Sequence, residues 1–141
     1  MARKLDEILN EYTLMPHLKS EKTQERGITV NFLVFDAFKL QLLQNKFNTI
    51  IDCGLFHVFS DEERTIYAAS LSSALYSGGK YFMLCFSEHE PGSYGLRRVT
   101  QAEIRATFGN GWKINYIRET KLETTFGSAG VKAWLSSITQ L

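Results

Sequence analysis

Acidic, polar and imidazole side chains follow three apolar runs of the sequence, at the points where those runs end. The runs are rich in β-branched and aromatic residues, which favour strands. Ligands of open α/β sheets bind beyond the carboxyl ends of the strands, so we expect these ends to share one rim. The candidate groups on this rim are Asp36, Ala37, Phe38, Asp52, Cys53, Gly54, Leu55, His57, Ser87 and His89. Such a collection predicts a pocket for a small ligand.

Structural roles are open for the same residues. Asp36 could cap a turn, and Asp52 could accept hydrogen bonds from loop amides. Loop histidines such as His57 and His89 are more often solvated or structural than catalytic. These two histidines and Glu88 lack a compact metal-ligand spacing, so no metal site is predicted. The sequence also has no glycine-rich phosphate loop and no serine-centred elbow.

The charge balance restricts the class of partner. Lysine plus arginine totals 16 and aspartate plus glutamate totals 15, so the 141 residues carry a net charge of +1. This balance argues against a protein that grips the phosphate backbone of a nucleic acid. No apolar run approaches the ~18 residues of a membrane span, and the start shows no signal sequence. We therefore expect a cytoplasmic protein with neither a nucleic-acid nor a membrane partner.

The hydrophobic content and the cysteines indicate one reduced, packed domain. Hydrophobic residues make up 44% of the chain, which is enough for a single core over residues 1–141. Cys53 and Cys85 both occupy apolar, strand-like positions. Two such residues do not make a disulfide framework, so we expect two buried free thiols.

A strand, a helix and a second strand follow one another in the middle of the chain. The strands are predicted over residues 48–53 and 80–86. Ser60 and Glu63 form a capping box that opens the helix, and the glycine pair at 78–79 is expected to close it. Because the connections are short, this pattern predicts a βαβ unit with parallel strands.

The remaining segments flank this unit. An amphipathic helix is predicted over residues 1–19, a buried strand over 28–35 and a short helical turn within 38–47. Beyond the unit, a second capping box opens a helix over 101–108. Two extended runs then complete the sequence, and we expect them to form an antiparallel hairpin; they cover residues 112–123 and 131–138.

Two strings carry a family resemblance. FNTIIDCGLFHVFSDEER, residues 47–64, is similar to the fourth-strand region of class I S-adenosylmethionine-dependent methyltransferases, in particular of small-molecule enzymes related to thiopurine methyltransferases. LYSGGKYF, residues 75–82, resembles the turn before that family's fifth strand, with Ser77 where proline is usual. Residues 28–38 resemble the third strand, and the C-terminal hairpin resembles the sixth and seventh strands.

The resemblance implies a fold and an activity. The expected fold is α/β, a truncated Rossmann-like methyltransferase sheet of about five strands with flanking helices and a C-terminal antiparallel hairpin. The expected activity is methyl transfer from S-adenosylmethionine to a small molecule. Two other functions stay open: a catalytically inactive homologue that acts as an assembly or binding module, and an unrelated α/β domain that binds a ligand around His57 and His89.

The resemblance also implies roles for the rim residues. The cofactor-binding residues would be Asp36, Ala37, Phe38, Asp52, Cys53, Gly54 and Leu55. The residues towards the acceptor would be His57, Ser87 and His89. Asp36 would accept a hydrogen bond from the adenine amino group, and Asp52 would stabilise the cationic sulfonium. Asp52 and His57 are therefore the catalytic candidates.

The family's first two strands and their glycine-rich cofactor loop have no counterpart in this sequence. We expect the helix at 1–19 in their place and the core over 28–141. The strand at 48–53 would then have an unpaired edge, which is an aggregation hazard. The strand at 28–35 could pair with it, a second copy could pair there in a homodimer, or a separate chain could supply the missing strands. We expect one or both of the first two.

Overall fold

The computed structural model describes residues 21–125 and 129–141. The chain divides into two compact units, Met1–Asp36 and Ala37–Leu141. The helix predicted over 1–19 lies outside the described residues. The interpretation of residues 1–141 as one domain stays a prediction.

The first unit contains a short helix and an apolar run without strand structure. The helix covers residues 21–25, and Gly27 follows it with a positive φ of 64°. The predicted strand at 28–35 is wrong, because residues 28–36 have no regular secondary structure, and Leu33 is 72% exposed. A strand must satisfy its backbone groups on a neighbouring strand, and none of the described strands pairs with this run. The expectation that it pairs with residues 48–53 is wrong for the same reason.

The second unit is built on a four-stranded sheet of order β1-β2-β4-β3. The strands are β1 (Phe47–Cys53), β2 (Leu75–Phe86), β3 (Trp112–Leu122) and β4 (Val131–Gln140). β1 pairs with β2 in parallel, whereas β4 is antiparallel to both β2 and β3. The parallel βαβ unit and the C-terminal hairpin are thus confirmed, and the sheet has four strands rather than five because residues 28–35 do not join it.

Helix α1 (Asp61–Ala74) connects the two parallel strands. Its capping box is confirmed: Ser60 Oγ accepts from the Glu63 amide, and the Glu63 carboxylate accepts from the Ser60 amide. The helix ends at Ala74 and not at the glycine pair, which lies inside β2. A Cβ at Gly79 would lie 2.8 Å from the Tyr76 carbonyl oxygen. The glycine therefore serves a tight backbone approach in β2 rather than helix termination.

Helix α2 (Gln101–Thr107) precedes the hairpin and begins with the second predicted capping box, formed by Thr100 and Glu103. Both α-helices pack on one face of the sheet. The core cluster on this face joins α1 and α2 to every second residue of β2, which are Tyr81, Met83 and Cys85. This alternation is what a strand with one buried face requires.

Burial differs between the two cysteines. Cys85 is buried as expected, and burial raises the pKa of its thiol to about 12, so it is a poor nucleophile. Cys53 is exposed, so the prediction of a buried thiol there is wrong; it lies at the end of β1, the edge strand of the described sheet. Neither cysteine forms a disulfide.

Two further features are absent from the residues that the structure describes. No helix among residues 21–125 and 129–141 is long and apolar enough to cross a membrane. No group of three or more histidine, cysteine or acidic residues in the same ranges is arranged to hold a metal ion.

Candidate functional site

The carboxylate of Asp52 is buried near the end of β1 and accepts hydrogen bonds from four donors. Its Oδ1 accepts from the Leu55 amide at 2.7 Å, and its Oδ2 accepts from the Phe56 amide at 3.1 Å. The hydroxyls of Tyr67 and Tyr81 also donate to Oδ2, at 3.2 Å and 2.7 Å. The residue is 5% exposed. The loop-amide interpretation of Asp52 is therefore confirmed, and the two tyrosines extend it.

This network joins four elements through one charge. The two amides belong to the N-cap and first residue of a short 3₁₀ helix (Phe56–Val58) in the turn after β1, Tyr67 belongs to α1 and Tyr81 to β2. Burial, reinforced by the charge of Asp52, raises the pKa of both tyrosine hydroxyls well above the ordinary value. Both hydroxyls therefore remain protonated and keep donating to the carboxylate.

His57 is buried against the end of β2. Its Nδ1 accepts a hydrogen bond from the Phe86 amide at 3.0 Å, and the two rings meet edge to face with centroids 4.7 Å apart. Because Nδ1 is an acceptor, the neutral ring carries its proton on Nε2. Burial lowers the pKa of His57; Arg64 lowers it further, while Asp52 raises it. The ring therefore favours the neutral state.

The residues between Asp52 and His57 form the exposed part of this turn. The Gly54 amide donates to the Leu84 carbonyl at 2.9 Å, and Gly54 has a φ of 90°. A Cβ at this position would lie 3.4 Å from His57 Nε2. The side chains of Cys53 and Leu55 are exposed. A ligand beside this turn could therefore contact the backbone of Gly54, the thiol of Cys53 and the side chain of Leu55.

A 3₁₀ helix (Ala37–Leu43) places two further predicted residues beside α1. The Ser70 hydroxyl donates to the Ala37 carbonyl at 2.8 Å and accepts from the Leu40 amide at 2.9 Å. The Phe38 ring packs on Phe59 at a centroid distance of 4.8 Å, and Phe59 in turn packs on a tyrosine that binds Asp52. Asp36 belongs to the other unit and is exposed.

Ser87 and His89 form a separate group beyond β2. Ser87 is buried, and its hydroxyl accepts from the His89 amide at 3.2 Å. The His89 side chain is 49% exposed and contacts the carboxylate of Glu119 and the ring of Trp134. The structure thus gathers Ala37, Phe38 and residues 52–57 around α1 and β1, and brings Ser87 and His89 together over β3 and β4.

Two arginines that the sequence did not assign to the rim organise the surroundings. Arg64 is buried, pairs with Glu103 at 3.1 Å and lies over the Phe56 ring at 4.6 Å. Arg98 donates to four loop carbonyls, those of Glu90, Pro91, Tyr94 and Leu96. The two tyrosines that bind Asp52 were also missed, although a tyrosine on a buried face usually has a partner for its hydroxyl.

Solved structures, a methyltransferase among them, share this fold. A structure from a study titled "Conversion of a Disulfide Bond into a Thioacetal Group during Echinomycin Biosynthesis" aligns with a TM-score of 0.73 and 27% identity, over 86% of this chain and 60% of that one. The magnesium protoporphyrin IX methyltransferase of Synechocystis PCC 6803 with bound SAH aligns with a TM-score of 0.62 and 18% identity, over 89% of this chain and 57% of that one. The unit is therefore a Rossmann-like methyltransferase sheet.

The sequence match is more specific than the fold. The model of the thiopurine S-methyltransferase (TPMT) family matches residues 3–141, so the chain belongs to this family. A relative, the 2-heptyl-1-hydroxyquinolin-4(1H)-one methyltransferase of Mycobacteroides abscessus, is 33% identical over 101 residues, which is 70% of this chain and 44% of the relative. The chain spans about half the length of the curated relatives it matches.

The Asp52 network predicts a graded loss of stability. We expect Asp52→Asn to lower the free energy of unfolding by about 3 kcal/mol. The side-chain NH₂ of asparagine would replace one carboxylate oxygen, and a donor would then face the donors that this oxygen accepts from. Tyr67→Phe removes one donor and should lower it by about 1 kcal/mol. Urea denaturation followed by circular dichroism measures both changes. If the two variants lost the same free energy of unfolding, the carboxylate would not be the group on which the network depends.

Burial of His57 predicts a pH-dependent stability. The pKa of His57 is lowered in the folded chain, whereas the unfolded chain has the ordinary value of about 6.5. As the pH falls through about 6.5, the unfolded state binds the proton first, so the free energy of unfolding decreases until the lowered folded pKa is reached. Urea denaturation between about pH 5 and 8 should show this decrease. The decrease should be smaller in His57→Gln; an unchanged slope in that variant would assign the effect to other groups.

Proposed function

We propose that this chain is part of an S-adenosylmethionine-dependent methyltransferase that acts on a small molecule. The family match over residues 3–141 is the observation that carries the proposal. The named substrate of the Mycobacteroides abscessus relative, a heptyl hydroxyquinolinone, supports a small heteroaromatic acceptor. We also propose a cytoplasmic location, which the two free thiols support.

The rim of β1 fits one wall of a cofactor site. Gly54 and the exposed Leu55 lie beyond the strand, and the half-buried Phe38 packs nearby through Phe59. Asp52, in contrast, is sealed by four donors, so its carboxylate cannot reach a ribose hydroxyl or an amino group without breaking them. Gly54, Leu55 and Phe38 would therefore contact one side of the cofactor. Residues outside this group would make the other contacts.

We assign different roles to the predicted residues. Contact with the cofactor is proposed for Ala37, Phe38, Cys53, Gly54 and Leu55 of the second unit, and the adenine contact of Asp36, in the first unit, stays a prediction. Asp52 and His57, the predicted catalytic pair, act as positioning residues that hold the turn between them. Ser87 and His89 face the acceptor. S-adenosylmethionine supplies the electrophilic methyl group when bound, and the protein aligns the acceptor with it.

Calorimetric titration with S-adenosylhomocysteine tests the proposed function. We expect the purified chain to bind with a Kd on the order of micromolar. Leu55→Glu should weaken binding by about tenfold or more, because a carboxylate replaces an apolar contact beside the ligand. Ile66→Glu is the matched control, since Ile66 is an exposed residue of α1 outside the rim. Absence of binding at millimolar ligand would reject cofactor binding by this chain.

The free edge of β1 supports a second candidate, an assembly module. Among the described strands β1 pairs only with β2, and Ile51 is 77% exposed. The single charged residue within β1 is Asp52, which points into the buried network, so no lysine or proline protects the edge. We propose that a second copy pairs with this edge and that the two sheets become one in a homodimer; a separate chain with a complementary strand is the other outcome.

Light scattering after size exclusion tests the edge. We expect the wild-type chain to elute as a dimer and Ile51→Lys to elute as a monomer, because the added charges repel across a two-fold interface. Ile66→Lys places the same charge on the exposed side of α1 and should remain dimeric. A monomeric wild-type chain would reject the homodimer and leave a separate strand-supplying chain to be sought.

A further inference from the structure

An apolar cavity of about 440 Å³ lies beyond the end of β2. Apolar or aromatic side chains line most of it: Phe86 at the end of β2, Tyr94 and Leu96 in the loop that joins β2 to α2, and Val131 at the start of β4. Two glycines and one threonine complete the described lining, so no described lining residue carries a charge near neutral pH. Both the volume and the apolar lining are typical of small-molecule pockets.

Arg98 holds the loop that forms one side of this cavity. Its guanidinium lies over the rings of Phe86 and Tyr94, 5.7 Å and 5.2 Å from their centroids. It is not among the described lining residues. The same group donates to the carbonyl oxygens of Glu90, Pro91, Tyr94 and Leu96. One side chain therefore fixes both the loop backbone and two rings of the cavity.

The other charged side chains of this loop also have partners within the protein. Glu90 accepts from the Tyr94 hydroxyl at 2.8 Å and, through its second oxygen, from the Lys132 amide of β4 at 2.7 Å. The remaining ones pair elsewhere: Glu88 with the Trp134 indole, His89 with Glu119, and Arg97 with Asp61 and Glu103. An ionic ligand in the cavity would have to take these groups from their present partners.

Phe86 connects the cavity to the turn after β1. Its ring lies edge to face with the His57 ring, 4.7 Å between centroids, and its amide donates to His57 Nδ1. Nε2 of the same imidazole lies beside Gly54, where a Cβ would be 3.4 Å away. His57 thus contacts both a residue of the cavity and a residue of the proposed cofactor wall. A methyl acceptor must lie next to its donor, and the cavity meets this requirement.

We propose that this cavity binds the ring of an uncharged aromatic methyl acceptor, that Tyr94 and Leu96 select the uncharged form, and that Arg98 is the positioning residue for both. A flat ring gains contact with the aromatic side chains of the cavity. A carboxylate would lose its hydration there without gaining a partner of opposite charge. The inference rests on the proposed function, which supplies the methyl donor, and it adds the class of acceptor and the residues that select it.

Two probes of the same shape test the charge preference without any cofactor. Near neutral pH, 2-naphthamide is uncharged and 2-naphthoate carries a carboxylate. We expect the amide to bind about tenfold or more tightly than the acid, because only the acid brings an unpaired charge into the cavity. Protein NMR titration measures both dissociation constants. Equal binding, tighter binding of the acid, or no binding of the amide at millimolar concentration would overturn the proposal.

Variants of the loop test the location of the site. Leu96→Asp should weaken 2-naphthamide by about tenfold or more, because it adds a carboxylate to the apolar lining. Tyr94→Ala removes one ring of the cavity and should also weaken the amide by about tenfold. Both residues are exposed, so the fold tolerates the changes, and circular dichroism verifies this. Ile66→Asp, on the exposed side of α1, is the matched control and should bind as the wild type does. Wild-type affinity in both loop variants would place the site elsewhere.

Replacement of Arg98 tests its positioning role. Arg98→Ala should weaken 2-naphthamide by about tenfold, because the loop is no longer held in its binding conformation. Amide hydrogen exchange should become faster in residues 90–96 and stay unchanged in α1, which separates a local effect from a general loss of stability. Arg98→Lys keeps the charge without the fork of donors and should behave like Arg98→Ala. Arg105→Ala, an exposed arginine of α2, should change neither result. Unchanged probe binding in Arg98→Ala would overturn the positioning role.

The two proposals fail separately. Loss of the preference for 2-naphthamide, with S-adenosylhomocysteine still bound, rejects the uncharged acceptor and keeps the methyltransferase. Retention of that preference in a chain that does not bind S-adenosylhomocysteine keeps the apolar site and rejects the cofactor assignment.

Discussion

The buried carboxylate of Asp52 is the constraint on which the described unit depends. A charge with 5% exposure must be satisfied by hydrogen bonds, and here the donors come from the turn after β1, from α1 and from β2. These elements surround one pair of oxygens, so their relative positions are fixed together. The same turn positions His57, whose Nδ1 accepts a hydrogen bond from the Phe86 amide. The geometry of the rim follows from this network.

The polar groups near Asp52 differ from those beyond β2 in whether their hydrogen bonds are made within the protein. Around Asp52 the charges and hydroxyls are sealed and engaged with one another, which makes them stabilising but unavailable. Beyond β2 the opposite holds, because the side chains of His89 and Glu119 contact each other and are exposed to solvent. Around β1, in contrast, the carboxylate of Asp52 and the Nδ1 atom of His57 are both engaged in hydrogen bonds within the protein.

One edge of β1 is unpaired among the described strands of this methyltransferase-family sheet. The sheet order and the family match are those of a methyltransferase, while the chain spans about half of its curated relatives. Ile51 and Cys53 are exposed on this edge strand. The open edge follows from one structural fact: β1 pairs with β2 alone among the described strands.

Local patterns determined much of this protein from its sequence. Ser60 and Thr100 start helices because a capping box needs only residues three positions apart, and the alternating run of β2 and the hairpin follow from short-range periodicity. Tertiary structure alone decided the rest. Residues 28–35 have strand-like composition but no partner, and the Asp52 and His89 pairings join residues about 30 positions apart, a separation over which sequence spacing carries no contact information.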